Sequence, residues 1–273
     1  MIAAIDRDFV SALCLARAGL KVDPDKSYLI ESRLAPLVRR EGYPTLEVLI
    51  GAVREGEDDR LAWSLVEAMA LAESEFFRDR GVFERLVGEV LPALAHDVEG
   101  PVRIWSAACG AGQEIYSLAM LLADAPSLAG RVELYASDLS ERNLEKAQAG
   151  LYSQFEVQRG LPARLLVRHF EKRGEAFALA PRIRHMVRWR RANLMDDLSR
   201  HGQFELVLCR NVLSQMAPEA HGRVRNQLAG VLAPGGRLVI GLGETLGAPF
   251  ACVTRDLGLH ARSGGDAARA AAA

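Results

Sequence analysis

VRIWSAACGAGQEIYSLAMLL, residues 102–122, changes character twice, and those two changes decide the fold. Val102-Arg103-Ile104-Trp105 is short, apolar and β-branched at its start, which reads as a strand. Gly110-Ala111-Gly112 then breaks the chain, and Tyr116 to Leu122 has the length and apolar density of a buried helix. The alternation continues outward. Val132-Glu133-Leu134-Tyr135-Ala136 is a second strand ending at Asp138, and Leu144 to Ala149 is helical. Phe204 to Cys209 is a buried strand. A helix follows to Leu232, and Pro234-Gly235-Gly236 turns into Leu238-Val239-Ile240. Strands alternating with helices predict an α/β fold with a doubly wound, Rossmann-like parallel sheet.

The chain before Gly100 reads as helices alone. Phe9, Leu13 and Ala16 share a helical face that stops at Gly19. Asp25 is placed to cap a second helix with Tyr28, Leu29, Leu34 and Leu37, and Thr45 to cap a third. Arg60 to Ala72 is a fourth. A fifth carries Phe83, Leu86, Val90 and Leu91 and is expected to end near Pro92. Between Leu151 and Arg191 the βα rhythm lapses: Gly160-Leu161-Pro162 and Arg173-Gly174 are turns, and Phe177-Ala178-Leu179 suits one arm of a hairpin. The expected organisation is a helical domain and linker over 1–92 and a ligand-binding domain over 93–262. The latter carries a small β-subdomain inserted at about 153–190, and a disordered tail covers 263–273.

Composition is that of an ordinary globular chain: 273 residues, 49% hydrophobic, with 34 Lys and Arg against 35 Asp and Glu for a net charge of −1. That balance argues against a nucleic-acid-binding polyelectrolyte. Cys14, Cys109, Cys209 and Cys252 form no Cys-x-x-Cys and have no paired histidines, so no metal site is expected. The N-terminus lacks a basic-then-apolar leader, and no apolar run approaches the ~18 residues a membrane helix needs. The expectation is a cytoplasmic monomer without membrane insertion.

The Gly110-x-Gly112 turn lets backbone approach a ligand at a helix N-terminus, although such turns also occur without one. Asp138 follows Gly112 by 26 residues at the end of the next strand, where a carboxylate can accept ribose hydroxyls. Its plain alternative is a cap for the helix carrying Leu144. Position 115 is Ile, so the third glycine of a dinucleotide fingerprint is missing, and a ribose-and-adenine ligand without a pyrophosphate fits better. Glu114, in the first turn, repels phosphate and can meet an ammonium; a first-turn acid is also simply favourable to the helix. These features point to S-adenosylmethionine (SAM).

Five stretches in order resemble the CheR-type chemotaxis receptor methyltransferases: EFFRDRGVFERL (75–86), RIWSAACGAGQEIYSLAMLLAD (103–124), ASDLSERNLEKAQAGLYSQFEVQRGLP (136–162), FELVLCRNVL (204–213) and GGRLVIGLGET (235–245). The likeness spans roughly Val22 to Gly247. It implies a helical N-terminal domain, a SAM-binding α/β domain with an inserted β-subdomain, and methyl-ester formation on receptor glutamates, with S-adenosylhomocysteine (SAH) as product and no metal. It implies that Arg78 lies beside cofactor and acceptor carboxylate as the catalytic and substrate-orienting group. By the same resemblance Asn193 and Leu194 hold the adenine edge, and Ser74, Ala108, Gly110, Gly112, Glu114, Asp138, Arg210 and Asn211 complete the cofactor set. From spacing alone, Arg78 would instead pair with Glu75 or Asp79, and Asn193 would be a turn residue.

The chain departs from the family at several points. Where the family usually has a substrate-side Tyr, this chain has Gln215; in place of a Thr-Thr-Asn-x-Thr run it has Ala70-Leu71-Ala72-Glu73-Ser74, which keeps only the Ser74 hydroxyl. Ile115 replaces the usual Pro. Lys21, Lys26, Arg33, Arg39 and Arg40 suit either an acidic partner helix or a solvated face. The expected partner is a chemoreceptor-like protein. Two rivals stand beside the receptor methyltransferase: a SAM/SAH-binding module that has lost its active site, and a methyltransferase for another acceptor. The absence of an Asn-Pro-Pro-Tyr-like motif argues against a nucleic-acid substrate.

Overall fold

The computed structural model describes residues 2–56, 58–70 and 74–264. Leu71, Ala72 and Glu73, and the end of the expected tail, lie outside them. The chain divides into two units, Met1–Leu71 with Leu213–Val224, and Ala72–Val212 with Arg225–Ala273.

The first unit contains helices α1 (Ala4–Ala18), α2 (Ser27–Glu41), α3 (Leu46–Glu55) and α4 (Asp59–Met69). Gly19 ends α1 in left-handed backbone at φ +64°, with its N–H turned back to the Cys14 and Leu15 carbonyls. Thr45 caps α3 by accepting from Val48 N–H, and Asp58 caps α4 by accepting from Leu61 N–H. Asp25 does not cap α2: the cap position is Lys26, without a side-chain bond, because Asp25 is drawn into a turn with Asp23. Val10, Cys14, Ile30, Leu34, Leu49, Ile50, Leu65 and Val66 are buried together as this unit's core. The segment after Val212 is stitched on by Lys21 N–H to Gln215 O at 2.9 Å and Ala217 N–H to Gly19 O at 2.8 Å.

The second unit begins with α5 (Arg80–Arg85) and α6 (Leu91–Asp97). A π-helical turn, Leu86–Val90, joins them. It places Pro92 in a first turn, where a missing N–H costs nothing, so the helix runs past the expected stop. Then come β1 (Val102–Ala107), α7 (Gln113–Ala123), β2 (Val132–Asp138) and α8 (Glu141–Ala149). A small antiparallel sheet of β3 (Leu151–Ser153), β4 (Phe170–Arg173) and β5 (Ala176–Leu179) follows in the order β3-β5-β4, with α9 (Gln154–Gln158) and α10 (Ala163–His169) between its strands. The turn α11 (Pro181–Arg184) leads back to β6 (Val187–Arg191).

The large sheet is completed by β7 (Phe204–Leu208), β8 (Leu232–Val239), β9 (Phe250–Thr254) and β10 (Leu259–Arg262), with α12 (Pro218–Gly230) preceding β8. Its order is β6-β2-β1-β7-β8-β10-β9. The first five strands are parallel; β10 and β9 are antiparallel, and sequence alternation does not announce them. From β1 the chain winds outward through β2 to β6, then returns to lay β7 on the other side of β1. Their carboxyl ends therefore open a crevice.

Leu151 to Leu179 reaches the site through aromatic packing. The Phe76 ring meets Tyr152 edge-on at 4.9 Å and Phe170 at 5.6 Å. Gly160 permits this approach: its φ is +84°, and a Cβ there would lie 2.0 Å from the Phe76 carbonyl oxygen. Gly160→Ala should destabilise the protein by at least about 1–3 kcal/mol, through both strain and collision with backbone. Denaturant titration checks this; an unchanged midpoint would remove the claim of close approach.

Candidate functional site

Parallel strands β1, β2, β6 and β7 all end on one side of the sheet, at Ala107, Asp138, Arg191 and Leu208. Ala108, Gly110, Gly112, Asp138, Asn193, Leu194, Arg210 and Asn211 occupy those ends or the loops that leave them, and Glu114 lies in the first turn of α7. The topology thus collects residues spread over a hundred positions. Ser74 and Arg78 join them from the segment before α5, where Phe77 N–H donates to Ser117 Oγ of α7 at 2.9 Å. Gln215 stands in the other unit, in the 3₁₀ turn Leu213–Gln215.

Ala108 and Gly110 have left-handed backbone at φ +53° and +56°, and Gly112 follows at +84°. Alanine in that region stores roughly 1–3 kcal/mol of strain, held by its surroundings. One holder is Cys109 N–H to Ser137 O at 2.9 Å; another is Gly110 N–H to Asp138 Oδ2 at 2.8 Å. Gly112 has a packing reason as well: a Cβ would come within 2.9 Å of the Trp189 ring and 3.0 Å of Ala147.

Asp138 is buried, and its Oδ1 accepts from Ser140 N–H at 2.9 Å and Asn143 Nδ2 at 3.1 Å. Ser140, not Asp138, caps α8. With the Leu139 backbone N–H, four donors from the protein surround the carboxylate. Burial pushes the Asp138 carboxyl upward, opposed by the donors from Ser140, Asn143, Gly110 and Leu139. Ala192 N–H donates to Asp138 O at 3.1 Å, which sets the next two residues, Asn193 and Leu194, beside β2. Both are buried, and Asn193 Oδ1 accepts from Met195 N–H, so the plain turn role is present too.

The Arg210 side chain is wholly enclosed, at 0% exposure. Its Nη1 donates to Glu114 Oε1 at 2.6 Å and to the Arg78 carbonyl at 3.2 Å, and its Nη2 donates to Asp79 at 2.6 Å. The guanidinium also lies over the Phe83 ring at 5.3 Å. The sequence reading has Arg210 as a direct cofactor contact; the structure turns its terminal nitrogens to protein groups. Burial pushes the Glu114 carboxyl up to about 7, against the pull of Arg210 and Arg78 and with the push of Asp79 and Glu75.

Asp79 and Glu244 carry weight that spacing does not reveal. Glu244 accepts from Asn211 N–H at 2.7 Å and Gly241 N–H at 2.8 Å, fixing Asn211 in left-handed backbone at φ +58°. Only a carboxylate two loops away from a strand end hints at it. Ser74 Oγ, Gln113 Oε1 and Arg210 Nε are buried without a hydrogen-bond partner among the described residues. Buried polar atoms left open on segments around one crevice are what a polar ligand would satisfy. Together with the Asp138 carboxylate at the end of β2 and the ionisable Glu114, they fit a ribose-bearing, ammonium-bearing molecule. Among the described residues, no group of three or more His, Cys, Asp or Glu side chains is arranged to hold a metal ion.

Comparison with known proteins agrees. The family described as "CheR methyltransferase, SAM binding domain" matches residues 72–255. The chain belongs to the CheR methyltransferase family. It is 36% identical over 245 residues to a chemotaxis protein methyltransferase of Vibrio parahaemolyticus, covering 88% of each chain. It is also 36% identical over 247 residues to chemotaxis protein methyltransferase 1 of Pseudomonas aeruginosa, again 88% of each, and 28% identical to a Listeria monocytogenes relative over 90% of this chain and 93% of that one. This CheR-family chain is a SAM-dependent methyltransferase of chemotaxis.

Two expectations follow for the pocket. Asp138→Ala should weaken SAM and SAH binding by about 1–3 kcal/mol, the cost of unpaired hydroxyls, as read by calorimetry; unchanged affinity would move the ribose elsewhere. Glu114 has a proton affinity raised by folding, so its contribution to apo stability is present below the ordinary glutamate range and is lost as pH rises through about 7. Ligand binding has the opposite sign. An ammonium needs the ionised carboxylate, so SAH affinity should rise across that interval and flatten in Glu114→Gln.

Proposed function

We propose that this CheR-family chain transfers a methyl group from SAM to glutamate side-chain carboxylates of a chemoreceptor-like protein, giving γ-glutamyl methyl esters. One observation carries the choice of a carboxylate acceptor. The two acids that flank Arg78 are engaged elsewhere: Glu75 by Arg159 at 2.5 Å and Asp79 by Arg210 at 2.6 Å. Among the described residues no carboxylate stands within ion-pair distance of the half-buried Arg78. A guanidinium kept clear of its neighbours is suited to fork onto an incoming carboxylate.

In this reading Asp138 accepts from the ribose of SAM, Asn193 and Leu194 face the adenine, and Glu114 meets the ammonium. Ser74, Ala108, Gly110, Gly112, Arg210 and Asn211 shape the remaining wall. Bound SAM supplies a methyl group on a sulfonium, an electrophile that an ionised carboxylate attacks directly. A glutamate with an ordinary pKa of ~4.3 is already ionised at neutral pH, so the chain needs no general base. Its work is to desolvate the acceptor and hold it in line.

Arg78→Ala should lower methyl-ester yield on a receptor cytoplasmic fragment by on the order of 100-fold while SAM affinity changes by less than about fivefold. Arg78→Lys should recover little, because an ammonium cannot fork. Wild-type SAM binding with no transfer to any receptor fragment would select the binding-module reading. Robust transfer indifferent to Arg78→Ala would keep the enzyme and discard this acceptor site.

A further inference from the structure

Arg78 lies between two residues with left-handed backbone, Phe77 at φ +51° and Asp79 at φ +55°. Neither is glycine, so the turn is held from outside itself. On the Phe77 side the hold is its N–H on Ser117 Oγ at 2.9 Å, backed by the Phe77 ring against Phe83 at 6.1 Å. On the Asp79 side the hold is Arg210. That guanidinium reaches the Arg78 carbonyl at 3.2 Å and the Asp79 carboxylate at 2.6 Å while its other face is tied to Glu114 of α7 at 2.6 Å. An acid next in sequence to an arginine ordinarily competes for it; here Asp79 is turned to a different arginine.

We infer that Asp79 is a positioning residue: by pairing with Arg210 it locks the strained turn that presents Arg78, and it divides the Arg210 charge with Glu114, which would otherwise hold that guanidinium alone. The inference rests on the function proposed above for Arg78 and Glu114. Asp79 touches neither cofactor nor acceptor in it. Without the carboxylate, Arg210 turns wholly to Glu114, the turn loses one of its two anchors, and Arg78 loses its aim.

Charge gives a readout that a merely structural role would leave alone. The groups that bear on Glu114 are Arg210, Arg78, Asp79 and Glu75, with the Cys109 and Cys209 thiols nearby and held neutral by burial. Of these, Asp79 is one of two negative charges that oppose Glu114 ionisation. Removing it makes Glu114 easier to ionise, so the pH midpoint of SAH binding moves down.

The test uses the full chain as wild type, Asp79→Asn, Asp79→Gly and Asp79→Glu. Asn and Gly both tolerate left-handed backbone, so each removes the charge without adding strain. SAH affinity is measured by calorimetry across the neutral pH range, and methyl transfer on a receptor cytoplasmic fragment. Asp79→Asn and Asp79→Gly should each lower kcat by about tenfold or more, with SAH affinity at pH 8 within about threefold of wild type. Their SAH midpoint should fall by about half a pH unit or more. Asp79→Glu should restore the midpoint and part of kcat. Transfer within twofold of wild type in both neutral variants, or an unmoved midpoint, overturns the inference. If the wild type itself transfers nothing, the proposed acceptor falls, and the SAH midpoint alone still decides the role of Asp79.

Discussion

Arg210 is a full charge with no access to solvent, and a charge in that position is tolerable only when opposite charges pair with it. Its partners come from two places in the chain: the first turn of α7, and the turn that carries Arg78 and Asp79. One guanidinium therefore fixes the end of β7, the start of α7 and the segment before α5 against each other. Loss of any carboxylate would leave the remainder buried and unbalanced, so the three segments are held as a set.

Backbone strain follows the same map. Among the described residues the non-glycine positions with left-handed backbone are Phe77, Asp79, Ala108 and Asn211. Ala108 and Asn211 lie on loops that leave β1 and β7, Phe77 and Asp79 on the segment before α5, and each is held by a specific bond: Ser117 for Phe77, Arg210 for Asp79, Glu244 for Asn211, and the Cys109–Ser137 and Gly110–Asp138 contacts beside Ala108. Strain concentrated in one crevice and absent from the helices is the signature of geometry kept for a ligand rather than for stability.

The sheet's other face is closed in an economical way. Between β6 and β7 the connection has only the 3₁₀ turn Ser199–His201. Trp105 stacks on Phe204 at 5.3 Å and on the His201 ring at 5.8 Å, and Arg103 lies over both Tyr135 and Phe204 at under 5 Å. Aromatic rings and an arginine stem do what a covering helix otherwise does. This compact link brings Asn193 directly after β6, beside Asp138, without a helical detour.

The sequence by itself determined the α/β class, the core strands β1, β2 and β7, and the helical character of the first unit. Local periodicity and turn chemistry are properties of neighbouring residues, and Gly19 and Thr45 act within a few positions of themselves. The resemblance carried by EFFRDRG and the Gly-x-Gly loop likewise pointed to SAM from contiguous residues. What sequence left open was everything set by partners far along the chain. Spacing favoured an ion pair between Arg78 and its neighbours, whereas the fold gives those neighbours Arg159 and Arg210. It left Asp138 divided between ribose and cap, and the fold gives the cap of α8 to Ser140. Arg210 read as a cofactor contact because nothing local shows that Glu114, 96 residues earlier, and Asp79, 131 residues earlier, converge on it. Strands β10 and β9 close one end of the sheet, with β9 at the edge, and their pattern is weak because pairing, not alternation, stabilises them. Local rules fix the elements; only tertiary packing decides which buried charges meet, because that depends on distances the chain creates by folding.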